Sequence, residues 1–159
     1  MSTTDKLILD MSIETGLRIS DILNIRRGQI AKTMDICESK TKKHKIVTIS
    51  DELLARLPKG CAFGGASNYA FPSARSPGKH IARSTYHRHL KQACMTSEID
   101  CSAHSARKLY AHNIYAKNYD IYEVQKALNH KYISTTATYM GLDLQELIRN
   151  ALQHKYPQK

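Results

Sequence analysis

The stretch Thr15-Gly16-Leu17-Arg18-Ile19-Ser20-Asp21-Ile22-Leu23 ends one helix, turns, and opens another. Upstream of it, Leu7, Ile8 and Met11 fall on one face of a helix expected from about Asp5 to Thr15. Gly16 is the natural stop, because glycine takes the left-handed conformation that closes a helix without a Cβ penalty. Leu17 and Arg18 follow in a tight turn. Ser20 reads as the N-cap of a short helix through Ile25, with Asp21 in its electropositive first turn. An arginine at such a junction ordinarily caps the preceding helix or lies at the surface. It takes on a function only if the turn aims it into a shared cleft.

Beyond this turn the periodicity changes from helix to strand. Met34 and Ile36 alternate with polar residues, as do Val47 and Ile49, and Ser39-Lys40-Thr41-Lys42-Lys43-His44 lies between them. The pattern predicts an antiparallel hairpin with a cationic tip. Asp51–Leu57 reads as a short helix capped by Ser50 and stopped by Pro58. Residues 58–80, rich in glycine and proline, read as a long loop with one short strand near Ala70–Phe71.

The second half is helical throughout. One helix is expected over Thr85–Met95 behind Ser84, and another from near His104, carrying Leu109 and Ile114. Ile121–Leu128 follows, with Ile121, Val124 and Leu128 on one stripe. Asn129 stands where a left-handed C-cap is expected. A short helix after Ser134 carries Tyr139 near its end, and the tail Asp143–Gln153 is amphipathic through Leu144, Leu147, Ile148 and Leu152. The expected fold is α+β and mainly helical. One domain covers residues 1–142 with a small antiparallel sheet, and an amphipathic tail segment covers 143–159.

Composition narrows the partner. The 159 residues carry a formal charge of +10, which points to DNA, RNA or an acidic membrane face. The aromatic-rich sheet motif expected of an RNA-binding domain is absent, which leaves RNA the weaker alternative. Cys37, Cys61, Cys94 and Cys101 form no Cys-x-x-Cys pair, which argues against a zinc ribbon or a redox motif. Buried, reduced thiols and a cytoplasmic setting are expected. Asp10 and Glu14 break the apolar run around Leu7–Ile13, so no signal-like core is present, and no stretch is long enough to span a membrane.

The candidate chemical residues each have an ordinary explanation. Lys40, on the hairpin tip, fits a solvated turn. A lysine on a mobile tip can also donate a proton to a leaving oxygen once substrate closes the site. His104 and Arg107 are three residues apart and share one face of a helix start, where backbone N–H groups favour phosphate. On spacing alone, a capping histidine beside an exposed arginine fits better. His130 follows the Asn129 cap, where a histidine is usually structural or exposed. Tyr139 is one of nine tyrosines, most of which pack with the hydroxyl at the rim.

Taken in order, these residues resemble the tyrosine recombinase, or phage integrase, family. Thr15 to Leu23 is similar to the family's first box, whose arginine is Arg18 here. Glu38-Ser39-Lys40-Thr41 resembles the hairpin segment that bears the family's lysine. His104-Ser105-Ala106-Arg107-Lys108 resembles the His-x-x-Arg box. Leu128-Asn129-His130-Lys131, with Tyr139 nine residues after His130, resembles the last box. Phe71-Pro72-Ser73 and Ser84 also sit at family positions, so the resemblance runs from about Lys6 to Leu152. The usual Leu-Gly-His reads Leu-Asn-His, and the usual glutamate of the first box is Asp21. The N-terminal DNA-clamping domain of family members is expected to be absent.

The resemblance implies the tyrosine-recombinase fold and a chemistry. Tyr139 would attack a DNA phosphodiester and form a 3′-phosphotyrosyl link that a 5′-hydroxyl later reverses. Arg18, Arg107 and His130 would hold the phosphate oxygens, with His104 as base and Lys40 as acid. Neither metal nor cofactor is implied. Lys42, Lys43, Arg83, Arg88, Lys108 and Lys131 would contact the backbone of double-stranded DNA, and the tail helix would dock on a second copy of the chain. Two other readings remain open on sequence: a non-catalytic DNA-binding regulator, and DNA relaxation of the type IB topoisomerase kind.

Overall fold

A computed structural model describes residues 1–58, 68–76, 78–97, 102–143, 145 and 149. The chain divides into two compact units, Met1–Tyr110 and Ala111–Lys159, with the division falling inside one helix.

The first unit begins with α1 (Thr3–Thr15), which starts before the apolar stripe because a capping box closes it. The Asp5 N–H donates to Ser2 Oγ at 3.1 Å and the Ser2 N–H to Asp5 Oδ2 at 3.2 Å. Leu7, Ile8 and Met11 are buried as their spacing predicts. Gly16 ends the helix at φ 61°, and its N–H donates to the Ser12 carbonyl. A Cβ at this position would collide with the ring of Tyr110, so two independent constraints hold glycine there.

Helix α2 (Ile19–Asn24) corrects one expectation, because Arg18 and not Ser20 is its N-cap. The Arg18 carbonyl accepts from the Asp21 and Ile22 N–H groups at 2.9 and 3.0 Å. Asp21 is buried and turned away from capping. It accepts from the Ser39 N–H at 2.9 Å and from Ser39 Oγ at 2.5 Å, which ties α2 to the end of the following strand.

A 3₁₀ turn (Arg27–Gln29) leads to the hairpin, β1 (Thr33–Cys37) and β2 (His44–Thr48), antiparallel with Thr33 opposite Thr48 and Cys37 opposite His44. Met34, Ile36 and Val47 face inward, as does Ile49 just beyond β2. Lys45, opposite Ile36, faces inward with them and is buried. Helix α3 (Asp51–Arg56) is capped by Ser50, whose hydroxyl accepts from the Leu53 N–H at 3.1 Å, an interaction worth about 1 kcal/mol.

The segment around Ala70–Phe71 is buried but forms no strand. Isolated bridges stand there, Arg26 to Tyr69 and Pro72 to His80, because Pro72 lacks the N–H that a ladder needs. Helix α4 (Arg83–Thr96) starts from Ala82, and Ser84 lies inside it, not at the cap. The Phe71 carbonyl accepts from the Ile81 N–H at 2.9 Å and so fixes the approach to the helix. Tyr86 and Leu90 bury the inner face of α4 in the core of this unit. Cys37 is a free, exposed thiol and Cys94 is disulfide-bonded, which corrects the expectation of buried, reduced thiols. Cysteine pairing depends on spatial proximity that sequence spacing does not reveal. Cys61 and Cys101 lie outside the described residues.

Helix α5 (Ser105–Asn118) leads into the second unit, where α6 (Ile121–Ala127) and α7 (Ile133–Met140) pack on each other. Ile121 and Ala137 form the centre of that contact, with Tyr115, Ile133 and Leu142 against them. Asp120 caps α6 by accepting from the Tyr122 N–H at 2.8 Å. Asn129 holds the expected left-handed conformation at φ 55°. The cap of α7 is Tyr132, two residues before Ser134. The expected tail helix lies largely outside the described residues. Among the described residues no helix is long and apolar enough to cross a membrane.

Candidate active site

In the first unit the arginines converge on one carboxylate. Arg18 Nη1 donates to Glu38 Oε1 at 2.8 Å, and Arg107 Nη1 stands 4.0 Å from the same oxygen. Glu38 is fully buried and Arg107 is only 4% exposed, whereas the Arg18 side chain keeps 19% of its surface open. Burial pushes the Glu38 carboxyl pKa up, but the Thr41 hydroxyl, Arg18 and Arg107 together outweigh that and hold it below the ordinary glutamate value. Thr41 Oγ1 donates to the other oxygen, Oε2, at 2.7 Å.

The turn that carries Arg18 is held from two sides. Arg107 Nη1 donates to the Gly16 carbonyl, and Lys45 Nζ donates to the Thr15 carbonyl at 2.7 Å. Lys45 also stands 5.0 Å from the centre of the Tyr110 ring, within cation–π range. Burial, reinforced by Arg107, pushes the Lys45 pKa down to about 8. Lys45 lies outside the boxes, and Glu38, which opens the hairpin box, has no role assigned by them. For Lys45 the signal existed, because position 45 continues the inward alternation of Val47 and Ile49.

His104 is exposed just before α5, and its carbonyl accepts from the Lys108 N–H at 2.9 Å. Desolvation, then the charges of His87, Arg107, Arg83 and Arg18, lower its pKa. The imidazole is therefore biased toward its neutral form, able to accept a proton. Lys40 is exposed in the hairpin turn, and its neighbour Thr41 supplies a link to the arginines through Glu38.

In the second unit His130 and Tyr139 lie together. Their rings meet edge to face, with centroids 5.6 Å apart and planes at 86°. His130 Nδ1 is 3.1 Å from the hydroxyl of the buried Thr136, which helps fix the ring. The local fold explains the pairing. The Asn129 turn directs the His130 N–H to the Gln125 carbonyl at 3.0 Å, and α7 carries Thr136 and Tyr139 back past that turn. Ser134, Thr135 and Thr138 join His130 and Tyr139 around a pocket of about 470 Å³.

Residues 1–146 match the phage integrase family. This chain belongs to that family. YoeC of Bacillus subtilis, described as a probable integrase/recombinase, is 32% identical over 144 residues that cover 87% of this chain and 78% of YoeC. The tyrosine recombinase XerH of Campylobacter jejuni is 29% identical over 150 residues, 90% of this chain but 42% of XerH. This integrase-family chain therefore spans less than half the length of that relative. Among solved structures, the XerA recombinase superposes with a TM-score of 0.73 at 20% identity, covering 99% of this chain and 59% of XerA. XerH bound to its difH substrate before cleavage gives 0.69 at 19% identity, covering 95% of this chain and 48% of XerH. At such identities these likenesses show the fold, which is that of the tyrosine recombinases.

Arg18 and Arg107 share a buried counter-charge, and His130 and Tyr139 share a pocket. Of the backbone-contact candidates, Lys42, Lys43, Arg83, Arg88, Lys108 and Lys131 are all exposed. Lys131 lies 5.0 Å from the Tyr132 ring.

Proposed function

We propose that this chain cuts and rejoins double-stranded DNA as the catalytic part of a site-specific recombinase, with residues 1–142 supplying the chemistry. The observation that carries the reading is the pair Arg18 and Arg107 drawn onto one buried carboxylate. Permanently charged forks arranged around an anion suit the equatorial oxygens of a phosphate in transfer.

The Tyr139 oxygen attacks phosphorus, the Tyr–O–P bond forms and the bond to the 5′ oxygen breaks. The proton leaves tyrosine toward His104, and the 5′ oxygen takes one from Lys40, so charge balances at both ends. Arg18, Arg107 and His130 hold the phosphate oxygens, each such group lowering the barrier by roughly 3–4 kcal/mol. The phosphotyrosyl ester keeps the bond energy, and a free 5′-hydroxyl reverses the reaction. Among the described residues no group of His, Cys, Asp and Glu is placed to hold a metal ion, and the proposed steps use none.

Lys42, Lys43, Arg83, Arg88, Lys108 and Lys131 contact DNA phosphates, which makes binding steeply salt-dependent. Residues 143–159 dock on a neighbouring copy assembled on the same DNA, in the cytoplasmic compartment that holds it. The relatives named as recombinases, and the XerH–difH complex, support DNA as the partner.

The test is covalent capture. The full chain is incubated with nicked duplexes of randomised sequence and run on a denaturing gel. A protein–DNA adduct is expected, and sequencing the captured DNA identifies the site. Binding without any adduct overturns the reading and leaves a DNA-binding regulator.

A further inference from the structure

We propose that Glu38 is a positioning residue that couples the arginine pair to the turn bearing Lys40. The inference rests on the DNA-cleavage reading above. Its two carboxylate oxygens serve two different parts of the machinery. Oε1 accepts from Arg18 at 2.8 Å with Arg107 beyond it at 4.0 Å, and Oε2 accepts from Thr41 at 2.7 Å.

The backbone of the same residue closes the Lys40 turn. The Glu38 N–H donates to the Lys43 carbonyl and the Lys42 N–H to the Glu38 carbonyl, both at 2.9 Å. Lys42 takes a left-handed φ of 56° to complete the turn. Lys40 thus lies inside a turn that Glu38 closes, although its own side chain is exposed.

Stability alone does not explain this carboxylate. An ion pair with a fully buried carboxylate loses in desolvation much of what it gains in attraction, and apolar residues often replace a buried pair at no loss. What the charge does here is hold like charges together. Arg18, Arg107 and Lys45 all act on its surroundings, and removing the negative charge leaves them repelling one another around the Thr15–Arg18 turn. Glu38 therefore fixes the spacing of the phosphate-holding groups and the reach of the acid in one step.

The test uses the full chain and a nicked duplex of the covalently captured sequence in two forms. One has oxygen and the other sulfur at the 5′-bridging position. A sulfur leaving group departs as thiolate and needs no proton, so it restores only what misplacing Lys40 costs. Glu38→Gln is expected to slow single-turnover cleavage of the oxygen substrate about 10- to 100-fold, with DNA affinity unchanged or higher. Sulfur should recover part of that loss, because the arginines are displaced as well. Thr41→Val removes the Oε2 contact, together with the long acceptance from the Lys43 N–H inside the same turn, and leaves the Arg18 contact in place, so sulfur should recover its smaller loss in full.

Glu38→Gln that folds and cleaves at the wild-type rate or faster overturns the proposal, since Glu38 would then compete with phosphate. If Glu38→Gln does not fold, Thr41→Val decides: undiminished cleavage, or a loss that sulfur does not restore, overturns it. Absence of an adduct from the wild-type chain removes the underlying reading instead, so the two failures are told apart.

Discussion

Arg18 and Glu38 lie 20 residues apart in sequence, yet an arginine nitrogen and a fully buried carboxylate oxygen meet at 2.8 Å. The contact joins the turn after α1 to the end of β1 and makes a cluster of charge from two segments that are each ordinary alone. Arg107 completes it from a third segment, holding the Gly16 carbonyl while standing near the same carboxylate.

On the proposed reading Arg107 stabilises charge on the phosphate more than it grips DNA. Arg107→Lys keeps the charge but loses the fork. Single-turnover cleavage should fall about 100- to 1,000-fold, while the salt slope of binding stays within about one unit of wild type. Equal losses in cleavage and affinity would make Arg107 a backbone contact.

Gly16 carries the Arg18 turn and is held by its positive φ and by the Tyr110 ring. Gly16→Ala should destabilise the fold by at least about 1–3 kcal/mol from backbone strain alone, with the Tyr110 collision added. Adding Tyr110→Ala should relieve the collision but not the strain. Urea melts read both, and an Ala variant within about 0.5 kcal/mol of wild type contradicts the account.

Lys45 links stability to pH. Its pKa is about 8 in the fold against an ordinary 10.5, so between those values the unfolded chain binds more protons and stability rises with pH. Below pH 8 the cost of a buried charge is present in full. Compared with Lys45→Met, wild type should gain up to about 3 kcal/mol across that range. Parallel stability–pH curves for the two proteins would show that Lys45 is not buried as charged lysine.

His104 should set the acid side of the pH profile. Its pKa is lowered by desolvation and by the neighbouring His87, Arg107, Arg83 and Arg18, so it is mostly neutral at pH 7. As general base it loses function as pH falls through a value below 6.5, and the cleavage rate should fall with it. His104→Gln should be slower and lack that inflection. An inflection unchanged in the variant would place the base elsewhere.

Much of the fold was legible because its signals are local. The stripe of Leu7, Ile8 and Met11, the Ser50 cap, the hairpin alternation and the Asn129 turn each depend on a few neighbouring residues, and each stands as read. Ser20 and Ser84 are not caps, because a serine near a helix start caps it only where its own backbone is extended. The chain is extended at Arg18 and Ala82 instead. The candidate chemical residues stood out as ordered boxes. Glu38 and Lys45 did not, because their meaning lies in tertiary contacts that join residues 15–18, 38–45 and 107.

The central claim rests on Tyr139 as nucleophile, and the direct measurement is covalent capture by Tyr139→Phe beside wild type. Both proteins are tested for binding to the captured sequence and for adduct on a nicked form of it. The variant should bind as wild type does and give no adduct, and a phosphorylated nucleotide should map to Tyr139 in the wild-type digest. An adduct that survives in Tyr139→Phe, or that maps to another residue, contradicts the account.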